Sequence, residues 1–170
     1  CTPMYNTLER MYNILYTASM YLAGALVALY LTSLVLYRPP VTQISFNATT
    51  DFKTWRKIDV LDFSFDLDAD FTPCFNWDTK MVFVWVKASY ETTKLKKNTI
   101  TVWDTMIRRK DSAHLKLRNE KIEYQLLDFS KNLKGREVEL TVEWMVIPYT
   151  GATVVEHGNS TKFIVPEHYT

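Results

Sequence analysis

The sequence predicts a mainly β protein: one N-terminal transmembrane α-helix followed by an antiparallel β-sandwich domain. Two observations predict it. Residues 11–37 carry no charged side chain, and the chain beyond them breaks into short apolar or alternating segments bounded by polar turns, with no helical period between them. Arg38-Pro39-Pro40 separates the two regimes, since neither proline continues a helix. The expected organisation is a short tail over 1–11, a span over 12–37 and a sandwich over 38–170.

In the span, Leu15, Leu22, Leu26, Val27, Leu29, Leu31, Leu34, Val35 and Leu36 supply the insertion energy. At about −0.3 to −0.6 kcal/mol for each aliphatic side chain they total a few kcal/mol. Some 25 helical residues cover about 37 Å, longer than a ~30 Å hydrocarbon core, so a tilted crossing fits. Tyr12 and Tyr16 at one end and Tyr37 at the other suit the two interfaces. A cleaved leader would have a shorter apolar core with small residues after it. Here Ala23-Gly24-Ala25 and Ala28 lie mid-stretch, with apolar residues continuing to Leu36. Ser19/Ala23 and Gly24/Ala28 are small pairs at i, i+4, the spacing that lets a second helix approach closely.

Beyond the prolines, residues 62–71 alternate with period two and place their apolar side chains on one face. Residues 81–86 are apolar on both faces and read as a central strand, and 99–103 as a shorter β-branched one. Residues 137–146 alternate again and stop at Pro148; the turn Lys134-Gly135-Arg136 precedes them. The stretch 115–127 is ambiguous, with β spacing interrupted by Arg118-Asn119-Glu120-Lys121, and 163–165 adds a final strand. Residues 42–57 are expected to be the least regular part. Trp85, Trp103 and Trp144 are expected in the core, whereas Trp77, between strands with Phe75, Asn76 and Asp78, is a candidate partner contact.

With 20 Lys+Arg against 19 Asp+Glu there is no basic field to attract nucleic acid. The two cysteines, Cys1 and Cys74, flank the span, so no intrachain disulfide is expected. Cys74 among Phe71, Pro73 and Phe75 reads as a small buried hydrophobe. Met4 after Cys1-Thr2-Pro3 is a candidate initiator. Asp66-x-Asp68-x-Asp70 matches the start of a calcium loop, but Phe71 stands where Gly is required and Trp77 where Glu is. Strand alternation accounts for these aspartates as a solvated face. His114, His157 and His168 lack metal-ligand spacing, and no Gly-x-Ser-x-Gly elbow, phosphate loop or dinucleotide fingerprint occurs. No catalytic residue, metal site or cofactor is expected.

Orientation is left open by these residues. Arg38, Lys53, Arg56 and Lys57 follow the span against Arg10 and Glu9 before it, which by the positive-inside rule keeps the large domain cytosolic. The acceptor sequons Asn47-Ala48-Thr49 and Asn159-Ser160-Thr161 are meaningful only on the lumenal side.

The run from Phe65 through Asp66-Leu67-Asp68-Ala69-Asp70-Phe71-Thr72-Pro73-Cys74-Phe75-Asn76-Trp77-Asp78-Thr79-Lys80, on through Val82-Phe83-Val84-Trp85-Val86 to Ala88-Ser89-Tyr90, resembles the signature of the signal peptidase complex subunit 3 family. Val102-Trp103-Asp104, Leu133-Lys134-Gly135 and Trp144-Met145-Val146-Ile147-Pro148 follow in the family's order. The resemblance implies an endoplasmic-reticulum glycoprotein of type II topology, with a cytosolic N-terminus and a lumenal domain. It implies an accessory subunit that binds and positions a separate catalytic subunit for signal-peptide cleavage, with other small membrane subunits, the lipid bilayer and the translocon as neighbours. One departure is Glu137-Val138-Glu139, where some relatives carry a sequon, so a glycan must sit elsewhere. The competing class is a single-pass adhesion or receptor-type sandwich ectodomain. Such domains usually have an intersheet disulfide or a sizeable cytoplasmic tail, and neither is expected here.

Overall fold

A computed structural model describes residues 6–92, 97–129 and 131–170. The N-terminal helix α1, Thr7–Leu36, is about 45 Å long at 1.5 Å per residue, and none of its residues is buried. Among the described residues it is the one helix long and apolar enough to cross a membrane. It starts earlier than expected, so the last residues of the expected tail are helical. Its last capping bond runs from the Tyr37 N–H to the Ser33 carbonyl at 3.0 Å, and the chain then turns extended into the prolines.

The rest is an antiparallel sandwich. One sheet contains β1 (Val41–Trp55), β2 (Ile58–Asp70), β5 (His114–Lys121) and the short β6 (Leu126–Asp128). Its order is β1-β2-β5, and β6 pairs with the first residues of β2. The facing sheet has the order β4-β3-β7-β8, from β3 (Thr79–Tyr90), β4 (Asn98–Ile107), β7 (Glu137–Pro148) and β8 (Val154–Ile164). Every pairing is antiparallel.

Period-two alternation puts Phe63, Phe65, Leu67 and Ala69 of β2, then Phe71, fully inside. Val82, Val84, Val86 and Ala88 of β3 and Val138, Leu140 and Val142 of β7 face them. Aromatic rings join the sheets: Phe65 meets Trp103 edge-on at 6.0 Å, and Phe71 meets Trp144 at 5.7 Å. Phe46 stacks on Phe163 at 4.1 Å and closes the side between β1 and β8. The Glu123 and Tyr124 N–H groups reach the Val102 carbonyl on the other side. Cys74 is buried and free, and Cys1 lies outside the described residues.

Three expectations change. Residues 42–57, expected to be irregular, are mostly strand: the 15-residue β1, Val41–Trp55, pairs along β2. The ambiguous stretch 115–127 resolves into two strands, β5 and β6, parted by a break around Ile122. Trp85 is not a core residue: with Val84 and Val86 inward, alternation turns it to the outer face, where its indole donates to Glu143 at 3.0 Å. Trp103 and Trp144 are buried as expected.

Truncating Phe65, fully enclosed between the sheets, removes both its transfer energy and its ring contact. Phe65→Ala should cost about 3–5 kcal/mol, read as a lowered midpoint in denaturant unfolding of the detergent-solubilised chain.

Candidate functional site: the junction of anchor and sandwich

The expected chemistry-bearing residues disperse over the surface, while an unexpected set converges where α1 meets the sandwich. Three side chains at the end of the anchor are partly covered by the domain: Tyr30 and Ser33 in the last two turns of α1, and Tyr37 just beyond it. Their i, i+3, i+7 spacing places them on one helix face. The Tyr37 hydroxyl donates to the Glu156 carboxylate on β8 and accepts the Trp144 indole N–H from β7 at 3.4 Å. Ser33 Oγ accepts from Asn76 Nδ2 at 3.4 Å. The Tyr30 ring lies against Gly151, where an added Cβ would come within 2.2 Å of it. Gly151 also has φ +101°, so both space and backbone restrict this position to glycine.

Two loops receive the helix, residues 71–78 and 149–153. In the first, Asp70 Oδ1 accepts the Thr72 N–H at 2.9 Å and opens a 3₁₀ turn, Thr72–Cys74. Asn76 Oδ1 then accepts the Asp78 N–H at 2.9 Å, an Asx turn. Asp78 fastens the second loop: its carbonyl accepts the Tyr149 N–H at 2.7 Å, and its Oδ1 accepts the N–H and hydroxyl of Thr150 at 3.0 Å each. Its Oδ2 is buried without a hydrogen-bond partner, a desolvation cost that the bonds at Oδ1 offset. Of the four candidate contact residues, then, Asp78 is 2 % exposed and Phe75 packs on the core. Asn76 holds the helix, and only Trp77, 49 % exposed, is open to a neighbour.

Cys74 lies between these loops and the Arg38 carbonyl, 3.8 Å from its Sγ. Burial first, and the Glu156 charge second, push its thiol up to about 12.

The helix-packing candidates Ser19, Ala23, Gly24 and Ala28 are all exposed, and nothing lies within 4 Å of a Cβ placed on Gly24. At 100° per residue Ser19 and Ala23 fall beneath Tyr30 and Tyr37, whereas Gly24 and Ala28 lie roughly 120–160° around the helix. Both sequon asparagines are exposed at β-bulges. Asn47 is the extra residue between Phe46 and Ala48, within 3.3 Å of Asp66 and Asn119, and Asn159 sits where β8 shifts register against β7.

The aspartate row is bonded to protein. Asp66 accepts the Asn119 N–H at 2.7 Å, and Asp68 meets His114 at 3.0 Å, which holds its carboxyl below the usual range. Among the described residues no cluster of three His, Cys, Asp or Glu has metal-holding geometry, and no serine or threonine hydroxyl is hydrogen-bonded to a histidine. Tyr30, Ser33, Gly151 and Glu156 were missed by sequence reading. The available signal was Tyr30-x-x-Ser33-x-x-x-Tyr37, polar groups at helical spacing inside an otherwise apolar run.

These features define a β-sandwich with, among the described residues, one helix long and apolar enough to span a membrane, whose end is bonded into one end of the domain. A family model described as signal peptidase subunit matches residues 4–168, and the chain belongs to that family. Proteins named signal peptidase complex subunit 3 are similar to it. That of Yarrowia lipolytica is 37% identical over 99 residues, 58% of this chain and 54% of the relative. The Dictyostelium discoideum protein is 31% identical over 128 residues, 74% of each, and the human protein 33% over 121 residues, 70% of this chain and 67% of the relative. The match thus spans about half the Yarrowia protein and about three quarters of the Dictyostelium one.

The junction has a pH signature. Folded Cys74 keeps its proton to about pH 12, whereas the unfolded thiol releases it from near its ordinary value of 9. The unfolded state binds fewer protons in that window, so this stability is complete below pH 9 and is lost as pH rises toward 12. Iodoacetamide at pH 8 should leave Cys74 unmodified until the chain is denatured; rapid alkylation of the folded chain would contradict the buried thiol.

Proposed function

We propose that this chain is a non-catalytic accessory subunit of a signal peptidase complex in the endoplasmic-reticulum membrane, holding the catalytic subunit at a set height over the bilayer. The N-terminus faces the cytosol and the sandwich faces the lumen. Signal peptides are cut beside the membrane, so the cleaving site needs a support whose distance from the bilayer does not drift. The observation that supports this reading is the seam in which Ser33 and Tyr37 hydrogen-bond to the sandwich and the Tyr30 ring packs on Gly151, contacts that would hold anchor and domain at a fixed angle. Family membership supplies the process, and the exposed sequons support the lumenal side.

Partner helices approach through the small pairs on α1, on two faces. The loop 71–78 contributes mainly by gripping the anchor. The proposed partners are the catalytic subunit and the other small membrane subunits, near the translocon; no nucleic acid and no cofactor take part.

The test is cleavage of a preprotein by the purified chain and by the assembled complex, in detergent and lipid. The chain alone should be inactive and the complex active. Single Ser→Ala and His→Ala changes in the sandwich should leave complex activity within a few-fold, because loss of a nucleophile or base costs on the order of 10⁴ or more. Gly24→Leu should lower the yield of intact complex. A Ser or His whose replacement abolishes cleavage in a fully assembled complex contradicts this reading, as does digestion of the sandwich by protease outside sealed microsomes.

A further inference from the structure

One end of the sandwich is built unlike the rest of its surface. The loops 71–78, 108–113 and 149–153 all emerge there: Thr79 opposes Pro148, Ile107 opposes Val82, and the Phe71 N–H bonds the Ala113 carbonyl at 2.9 Å. The helix passes the same end, with Tyr30 against Gly151 and Ser33 against Asn76. Residues 71–77 and 144–155 contain no charged side chain, in a chain that is 23% charged. Two aromatic residues project from these uncharged loops, Trp77 at 49 % and Tyr149 at 70 % exposure. Beside them Arg108, Arg109 and Lys110 are exposed, and none forms an ion pair with a described residue.

The level of this end relative to a bilayer follows from the helix. Residues 11–30 cover about 30 Å, the thickness of the hydrocarbon core. Ser33 lies roughly 4.5 Å beyond Tyr30 along the helix, within the roughly 5–7.5 Å of one headgroup layer, and Tyr37, roughly 10 Å beyond Tyr30, lies at its outer edge. Loops packed beside Tyr30 and Ser33 therefore lie inside that layer and not above it. On the other faces of the same turns Leu31, Leu34, Val35 and Leu36 are more than half exposed, so the helix at this height still presents apolar surface to its surroundings.

We propose that this end is a lipid-binding rim, seated in the headgroup region of the leaflet from which the anchor emerges. Trp77 and Tyr149 enter the interfacial layer, and Arg108, Arg109 and Lys110 contact the phosphates of anionic phospholipid. Aromatic residues favour this layer because one edge is apolar and the other polar. Cations within a Debye length of an anionic surface are attracted to it. Three neighbouring cations with no ion pair among the described residues match the negative charge of an anionic lipid surface. The inference requires only that α1 spans a membrane and is independent of the peptidase reading.

The test uses the full chain with Cys1→Ser in nanodiscs of phosphatidylcholine with or without phosphatidylserine. An environment-sensitive dye is attached at Tyr149→Cys or, at the opposite end of the domain, at Lys53→Cys; buried Cys74 stays unlabelled. Spin-labelled lipid with a shallow nitroxide should quench position 149 several-fold more than position 53, with a blue-shifted emission at 149 only. Replacing Arg108, Arg109 and Lys110 by Glu should remove the added quenching that phosphatidylserine brings. Equal, weak quenching at both positions overturns the proposal. Protection of position 149 only when the other subunits are present assigns the rim to a protein partner and overturns it equally. Quenching that ignores both phosphatidylserine and the triple replacement overturns the assignment of the cations.

Discussion

The hydroxyl of Tyr37 lies between the Glu156 carboxylate of β8 and the Trp144 indole of β7, two residues that oppose each other across the strand pair. One side chain at the end of the anchor is thereby tied to two neighbouring strands. Hydrogen bonds to a carboxylate are as a class stronger than those between neutral groups. Ser33 and Tyr30 extend the contact down the same helix face. The orientation of the sandwich relative to the membrane helix depends on this short seam. Without it, residues 38–40 would be a tether, and the domain could swing.

The seam needs two loops in fixed positions, and Asp78 fixes them. It binds the loop after β7 through its carbonyl and one carboxylate oxygen while leaving the other buried oxygen unbonded. A buried acid with an unbonded oxygen is a cost carried for position, since an apolar residue could fill the space but could not hold the Thr150 N–H and hydroxyl. Gly151 completes the arrangement, because its left-handed backbone and missing Cβ let the Tyr30 ring close on the chain. These constraints link a local sequence choice to the proposed role of a support with a defined height.

Much of the fold was legible. The anchor announced itself by 27 residues without charge, and β2, β3 and β7 by alternation or unbroken apolar character. The strand β1 was not legible, for two physical reasons. Its bulges, at Asn47 and between Thr49 and Asp51, break period-two alternation. The turn that pairs it with β2 uses Arg56 and Lys57, both at positive φ, where an Asn-Gly pair would ordinarily signal a hairpin. Trp85 was misplaced because a run apolar on both faces does not reveal which face holds the core. The site was less legible than the fold: the grip on the anchor pairs residues far apart in sequence, Ser33 with Asn76 and Tyr37 with Glu156, whose pairing no local pattern encodes.

The account stands most directly on the rigidity of the junction. The full chain with Cys1→Ser, reconstituted in nanodiscs, can be spin-labelled at Val27→Cys in the helix and at Lys53→Cys at the far end of the sandwich, both exposed sites. Pulsed electron–electron resonance then reads the distance distribution between them. A single narrow peak, broadened by combining Tyr37→Phe with Asn76→Ala while the sandwich stays folded, is the result this account predicts. A broad distribution in the unaltered chain would contradict it, because the domain would then ride on a flexible tether with no fixed height.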